Sequence, residues 1–233
     1  MRRALFLQHE VLGTLGLIGE RAAERGFEVV SVMASDVTRL PDPAAFDLVV
    51  SLGSSNSATD THVPWVAQES ALLRDAIARA VPILGICFGG QMLAHALGAA
   101  VRKGPHAEIG WLAIETSVPD LIPSGPWLQW HYEVFDVPAG ATEIARSPAG
   151  SQAFTHGPHL GLQFHPELSA DMLHGWLRES AKELGRAGVD VPRLVADTAR
   201  HAKRARQAAR YLFDAFHARA MAGPLGEREV VGE

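Results

Sequence analysis

The 233-residue chain is 47% hydrophobic and 20% charged, which gives it enough apolar material for a large α/β core. Its formal net charge of −5 excludes a broad basic field for nucleic acid or an anionic membrane, and its single cysteine excludes an internal disulfide. No run approaches the ~20 apolar residues of a membrane span. The apolar run behind Arg2 and Arg3 breaks at Gln8-His9-Glu10, too early for a secretory signal, so a cytoplasmic protein is expected.

In chain order, Ala4–His9 reads as a buried strand and Gly13–Arg25 as a helix, with Gly26 suited to its C-terminal cap. Phe27–Met33 and Phe46–Gly53 are strand-like. Pro64–Ala80 opens on proline and repeats apolar residues at helical spacing. Val81–Cys87 is the next strand and Gly89–Gly98 the helix after it. This alternation predicts an α/β fold, with a mostly parallel sheet covered by helices on both faces. Beyond Gly98 the texture changes. Glu108–Glu115, Trp127–Pro138, Thr142–Ser147, Gln152–His156 and His159–His165 are strand-like and separated by glycine and proline turns. They are expected to include antiparallel strands that extend or flank the sheet. From Ser169 to about Met221 the chain is helical, and the last dozen residues read as a frayed end. There is no repeat or clear linker. One domain over 1–233 is expected, with a core of about 4–176 and a helical extension of about 177–222.

The lone cysteine, Cys87, stands between Gly85 and Gly89 where a strand meets a helix. A strand that turns sharply into a helix lifts the residue at the turn in a strained conformation, and neighbouring side chains would collide there. The lifted sulfur faces ligand at a helix N-terminus, whose partial positive charge favours a thiolate. The Phe88 N–H then supplies half an oxyanion hole. A buried cysteine with glycines for packing is the alternative. A thiolate nucleophile needs a base, and the base an orienting group. His165 ends a strand-like run, and Glu167, two residues on across Pro166, can fix its tautomer; alone, the same three residues are a surface turn.

These residues resemble the class I (triad-type) glutamine amidotransferases, which carry a G-x-C-x-G-x-Q elbow and a late F-H-P-E. Here they read Gly85-Ile86-Cys87-Phe88-Gly89-Gly90-Gln91 and Phe164-His165-Pro166-Glu167. Glu108–Trp111 and Trp130–Ser147 are similar to the stand-alone, GMP-synthase-like branch, and the likeness covers most of residues 4–176. It implies a flavodoxin-like fold, Cys87 as nucleophile, His165 as base and Glu167 as orienter. It also implies Gln91, Gly53 and His131 at the substrate, and oxyanion donors from the Phe88 and Ser54 backbones. The family's G-G-P-like loop reads Gly53-Ser54-Ser55 here, and Glu133 stands where the branch has an aspartate.

Other groups point elsewhere with less force. His156 and His159, with His131, lack a well-spaced carboxylate or thiol, so no metal is expected, and no cofactor. Gln8-His9-Glu10 either rims a cleft or simply ends a strand. Trp65, Trp111 and Trp127 read as core, and the basic helix Ala199–Arg210 as a solvated face. Three functions remain. The first is a glutaminase that cleaves the glutamine amide through a glutamyl thioester and passes ammonia to a synthetase; without a P-loop here, that synthetase is a partner chain. The second is a γ-glutamyl hydrolase that needs no partner. The third is a non-catalytic regulatory module.

Overall fold

The computed structural model describes residues 1–222; the end expected to fray lies outside the described residues from 223 onward. β1 (Arg2–Gln8) carries Ala4, Leu5, Phe6 and Leu7, all fully buried, because helices cover both faces of the strand. Its even and odd residues divide between two cores. Ala4 and Phe6 join α1 (Gly16–Glu24) and the far end of α6 (Val191–Met221). Leu5 and Leu7 join α2 (Pro64–Ala78) and α3 (Phe88–Ala96) on the other face.

The eight-stranded sheet has the order β2-β1-β3-β4-β10-β9-β8-β6. β2 (Phe27–Met33), β1, β3 (Leu48–Ser51), β4 (Ile83–Ile86) and β10 (His159–Leu162) run parallel. β9 (Gly150–His156), β8 (Thr142–Ser147) and β6 (Glu115–Thr116) extend the sheet antiparallel beyond β10, as expected for this half of the chain. Two strands leave the sheet. β5 (Val101–Leu112) and β7 (Trp127–Phe135) form their own antiparallel ribbon, so the expected strand Glu108–Glu115 is divided between β5 and β6. The order departs in opposite directions from β1, to β2 on one side and β3 on the other. Loops after β1 and β3 therefore diverge and open a crevice at the carboxyl ends of the strands.

α4 (Ala170–Glu179), capped by the Ser169 hydroxyl, and α5 (Ala181–Arg186) follow β10. α6 is not a solvated appendage. Ala209, Leu212, Phe213 and Phe216 are buried in the first core. On its basic stretch, which is largely exposed as expected, Arg206 pairs with Glu20 and Arg210 with Glu24 at 2.6 Å, both partners on α1. Among the described residues no helix is long and apolar enough to cross a membrane.

Candidate active site

Cys87 occupies the junction of β4 and α3 with φ +53° and ψ −109°. A non-glycine residue held there costs of order 1–3 kcal/mol and persists only where its surroundings fix it. The surroundings are tight. A Cβ on Gly85 would lie 2.3 Å from the Gly89 carbonyl oxygen, and one on Gly89 would lie 2.1 Å from the Ser51 carbonyl oxygen. Both glycines are therefore demanded by close approach, and the Cys87 N–H is tied to the Leu162 carbonyl at 2.9 Å. Phe88 begins α3, so its N–H belongs to the first helical turn, where intrahelical acceptors are lacking.

His165 follows β10 and is tied to the ribbon through its N–H, which donates to the Leu128 carbonyl at 2.9 Å. Its Nδ1 meets a Glu167 carboxylate oxygen at 2.7 Å, and both side chains are buried. Nε2 has no hydrogen-bond partner among the described residues. Burial pulls the imidazolium down, but the Glu167 carboxylate and then the nearby Cys87 sulfur outweigh it and hold His165 well above its ordinary value. The Trp176 ring of α4 packs edge-on against the imidazole at 5.0 Å. The loop after β3 closes the third side: a Cβ on Gly53 would lie 3.2 Å from His165 Cε1 and 3.9 Å from Cys87 Cβ.

Cys87, His165, Glu167, Gly53, Ser54, Gln91 and His131 all line one cleft of about 640 Å³, within the range of small-molecule sites. Phe88 stays behind it, its ring buried beside His9. Two of the expected substrate contacts are otherwise engaged. The Gln91 amide nitrogen donates to the Glu133 carbonyl at 3.1 Å and to Gln163 at 3.3 Å. His131 has Nδ1 3.0 Å from the Glu133 carbonyl oxygen and Nε2 3.0 Å from Glu108, so its ring is pinned. Glu108, pushed up by burial, ends below its ordinary value because His131 and Ser147 hydrogen-bond the carboxylate. The cleft wall is acidic, with Glu10, Asp60, Glu133, Glu179 and Glu183 against Lys103 and the histidines His131 and His165.

Several residues escaped the sequence. Gln163, fully buried, reaches Cys87 Sγ at 3.8 Å as well as Gln91, and its signal was a polar residue inside the otherwise apolar run before His165. Trp176 carried no signal beyond its place on a helix. His156 and His159 stack with ring centroids 6.2 Å apart, and burial, with His156 nearby, pushes His159 down to about 4. Among the described residues no three His, Cys, Asp or Glu side chains are grouped to hold a metal.

A mostly parallel α/β sheet with a strained cysteine elbow at the end of β4, and a histidine–glutamate pair in the same cleft, defines an α/β protein with a small-molecule site. The class-I glutamine amidotransferase family model matches residues 15–180, and the chain belongs to that family. It is 28% identical over 200 residues to the glutamine amidotransferase-like protein YfeJ of Salmonella typhimurium, covering 79% of this chain and 84% of that protein. It is 31% identical over 118 residues to the glutamine-hydrolyzing GMP synthase of Macrococcus caseolyticus, covering 45% of this chain and 23% of that one. The match thus spans about a quarter of that synthase's length. A glutamine amidotransferase from Thermotoga maritima has the same fold, with a TM-score of 0.84 at 29% identity over 92% of this chain and 97% of that one.

Proposed function

We propose that this chain cleaves the side-chain amide of glutamine through Cys87, His165 and Glu167 and delivers the ammonia to a synthetase. One observation carries the reading: a strained elbow sets Cys87 beside a histidine whose Nδ1 is held by Glu167 and whose Nε2 is uncommitted. The Cys87 thiolate attacks the γ-carboxamide carbon, and the carbonyl electrons move onto oxygen, facing the Phe88 and Ser54 N–H groups. Collapse of this intermediate expels ammonia, protonated by His165 Nε2, and leaves a γ-glutamyl thioester. His165 then takes a proton from water, which attacks the thioester and releases glutamate and the thiolate. The acidic wall suits the substrate's α-ammonium group. The test is glutamine hydrolysis by the purified chain, with glutamate and ammonia released in equal amounts. Absence of both products with glutamine and with γ-glutamyl amides would sink the proposal.

A second reading, a γ-glutamyl amide hydrolase that acts alone, is supported by the loop after β3. That loop is already braced without a partner: Ser55 N–H donates to Glu10 at 2.5 Å, and Asn56 N–H to the Ser54 hydroxyl at 3.1 Å. Under this reading a γ-glutamyl dipeptide is cleaved faster than glutamine by the isolated chain; under the first, glutamine is preferred.

A further inference from the structure

Behind the loop after β3 lies a second buried histidine–carboxylate pair that the chemistry above does not use. His9 follows β1, and Glu69 sits on α2 with no exposed surface. His9 Nε2 meets a Glu69 oxygen at 2.7 Å, and the other Glu69 oxygen accepts the Ser51 hydroxyl at 2.5 Å. The remaining ring nitrogen, Nδ1, lies 3.1 Å from the Gly53 carbonyl oxygen. Both partners of the ring are acceptors, so both nitrogens donate. The ring is stacked on Trp65 at 5.0 Å and meets the Phe88 ring edgewise at 4.8 Å. Neither His9 nor Glu69 lines the cleft.

Buried ion pairs add little stability over well-packed apolar residues, so stability alone is a poor account of this one. We propose that His9, oriented by Glu69, is a positioning residue that sets the oxyanion hole by holding the Gly53 carbonyl. The inference rests on the proposed acyl-transfer role of Cys87. In a trans peptide the C=O and the following N–H point in opposite directions. A Gly53 carbonyl drawn back onto His9 therefore turns the Ser54 N–H away from His9, toward the side on which Gly53 closes over Cys87 and His165. The second donor, Phe88 N–H, belongs to the residue whose ring packs on the same imidazole. One buried side chain thus touches the Phe88 ring and the carbonyl that precedes the Ser54 N–H. Burial lowers the His9 imidazolium, yet Glu69 outweighs it and leaves His9 above its ordinary value, the direction that favours two donors on the ring.

His9→Asn and His9→Gln separate the two contacts. The asparagine amide nitrogen takes roughly the place of Nδ1 and keeps a donor for Gly53, whereas glutamine reaches toward Glu69 and abandons Gly53. Hydrolysis of L-glutamine and of γ-glutamyl-p-nitroanilide is measured in both variants. His9→Gln is expected to lose roughly 10²–10³-fold in kcat with little change in KM, the worth of one oxyanion donor, and His9→Asn about tenfold less. Iodoacetamide, which needs no oxyanion hole, should alkylate Cys87 at the wild-type rate in both. Equal kcat losses in the two variants, a loss confined to KM, or alkylation slowed in step with kcat overturns the inference. Hydrogen exchange of the Ser55 amide reads the loop without turnover: it should quicken in His9→Gln more than in His9→Asn. Unchanged exchange in both overturns the bracing. A wild-type chain that cleaves neither probe sinks the catalytic reading, and exchange then still decides whether His9 holds the loop.

Discussion

His165 meets Glu167 at 2.7 Å, and His9 meets Glu69 at the same distance; both pairs are buried. They differ in the nitrogen left over. In the cleft, Glu167 binds Nδ1, and Nε2 is without a partner among the described residues. Under the loop, Glu69 binds Nε2, and the Gly53 carbonyl takes Nδ1. His131 repeats the second pattern with Glu108 and the Glu133 carbonyl. An acid beside an imidazole therefore does not make a proton shuttle. The second nitrogen decides: uncommitted, it can pass a proton; committed, it holds backbone.

The largest effects should come from breaking the cleft pair and its nucleophile. Cys87→Ala should bring glutamine hydrolysis to background, and a diazoketone analogue of glutamine should add once to the wild type and not to the variant, read by mass spectrometry. His165→Ala should lose roughly 10²–10⁴-fold in turnover, the usual worth of a general acid–base group. Glu167→Gln should lose less, because the base survives, loosely placed. If Glu167→Gln proved the more damaging, the division between shuttle and orienter would collapse.

The same variant separates charge from packing through pH. His165 holds its proton in the folded chain at pH values where the unfolded chain has released it. That contribution to stability is fully present below the unfolded value of about 6.5 and is lost as pH rises through the raised folded value. Glu167 is the leading group that raises it, ahead of Cys87. The stability gap between wild type and Glu167→Gln should therefore be widest near pH 6 and narrow at alkaline pH in urea denaturation. A gap independent of pH would mean that Glu167 acts only by packing.

The locked pattern predicts a different response. Glu108→Ala leaves His131 buried without its acid, Ser147 without its acceptor and Gln152 with only the Ser147 hydroxyl to donate to. Breaking a buried pair in this way should cost about 3–5 kcal/mol, read as a lower denaturation midpoint. A loss under 1 kcal/mol would show that His131 finds another acceptor and is not pinned.

The elbow and the His165–Glu167 pair were legible because each is local. Gly85, Cys87 and Gly89 state a steric rule within five residues, and Glu167 reaches His165 across one proline. Phe27–Met33 was legible as a strand to the residue, since β-branched runs bounded by turns leave little choice. His9 and Glu69 are 60 residues apart and meet only because β1 pairs with β3, which sets His9, just past the end of β1, beside Gly53 and against α2 before the loops part. A trace was present: Glu69 lies on the apolar stripe of Val66, Leu73 and Ala76, where a carboxylate needs a partner. The separation of β5 and β7 from the main sheet was not legible, because alternation identifies strands and not their neighbours. The basic face of α6 is exposed as expected at Lys203, Arg204 and Arg206, but its ion pairs were not legible, for the same reason. Its partners, Glu20 and Glu24, belong to another helix.

Breaking an ion pair on that face should cost the least of all. Arg206 and Glu20 form an ion pair as the buried pairs do, but each side chain is about half exposed, at 52% and 50%. Water screens the charges, and holding two long side chains in one geometry costs rotamer freedom, so such a pair is worth about 0.2–1 kcal/mol. A double-mutant cycle of Arg206→Ala and Glu20→Ala should return a coupling in that range, shrinking further in 1 M salt, where the Debye length is about 3 Å. α6 should stay docked throughout, because Ala209, Leu212, Phe213 and Phe216 remain in the core. Arg206→Ala alone should lower Tm by no more than about 4 °C, the shift of 1 kcal/mol in a chain of this size. A coupling above 2 kcal/mol would show that burial is not what separates these surface pairs from His9–Glu69, and that α6 is held by its charges as much as by its apolar side chains.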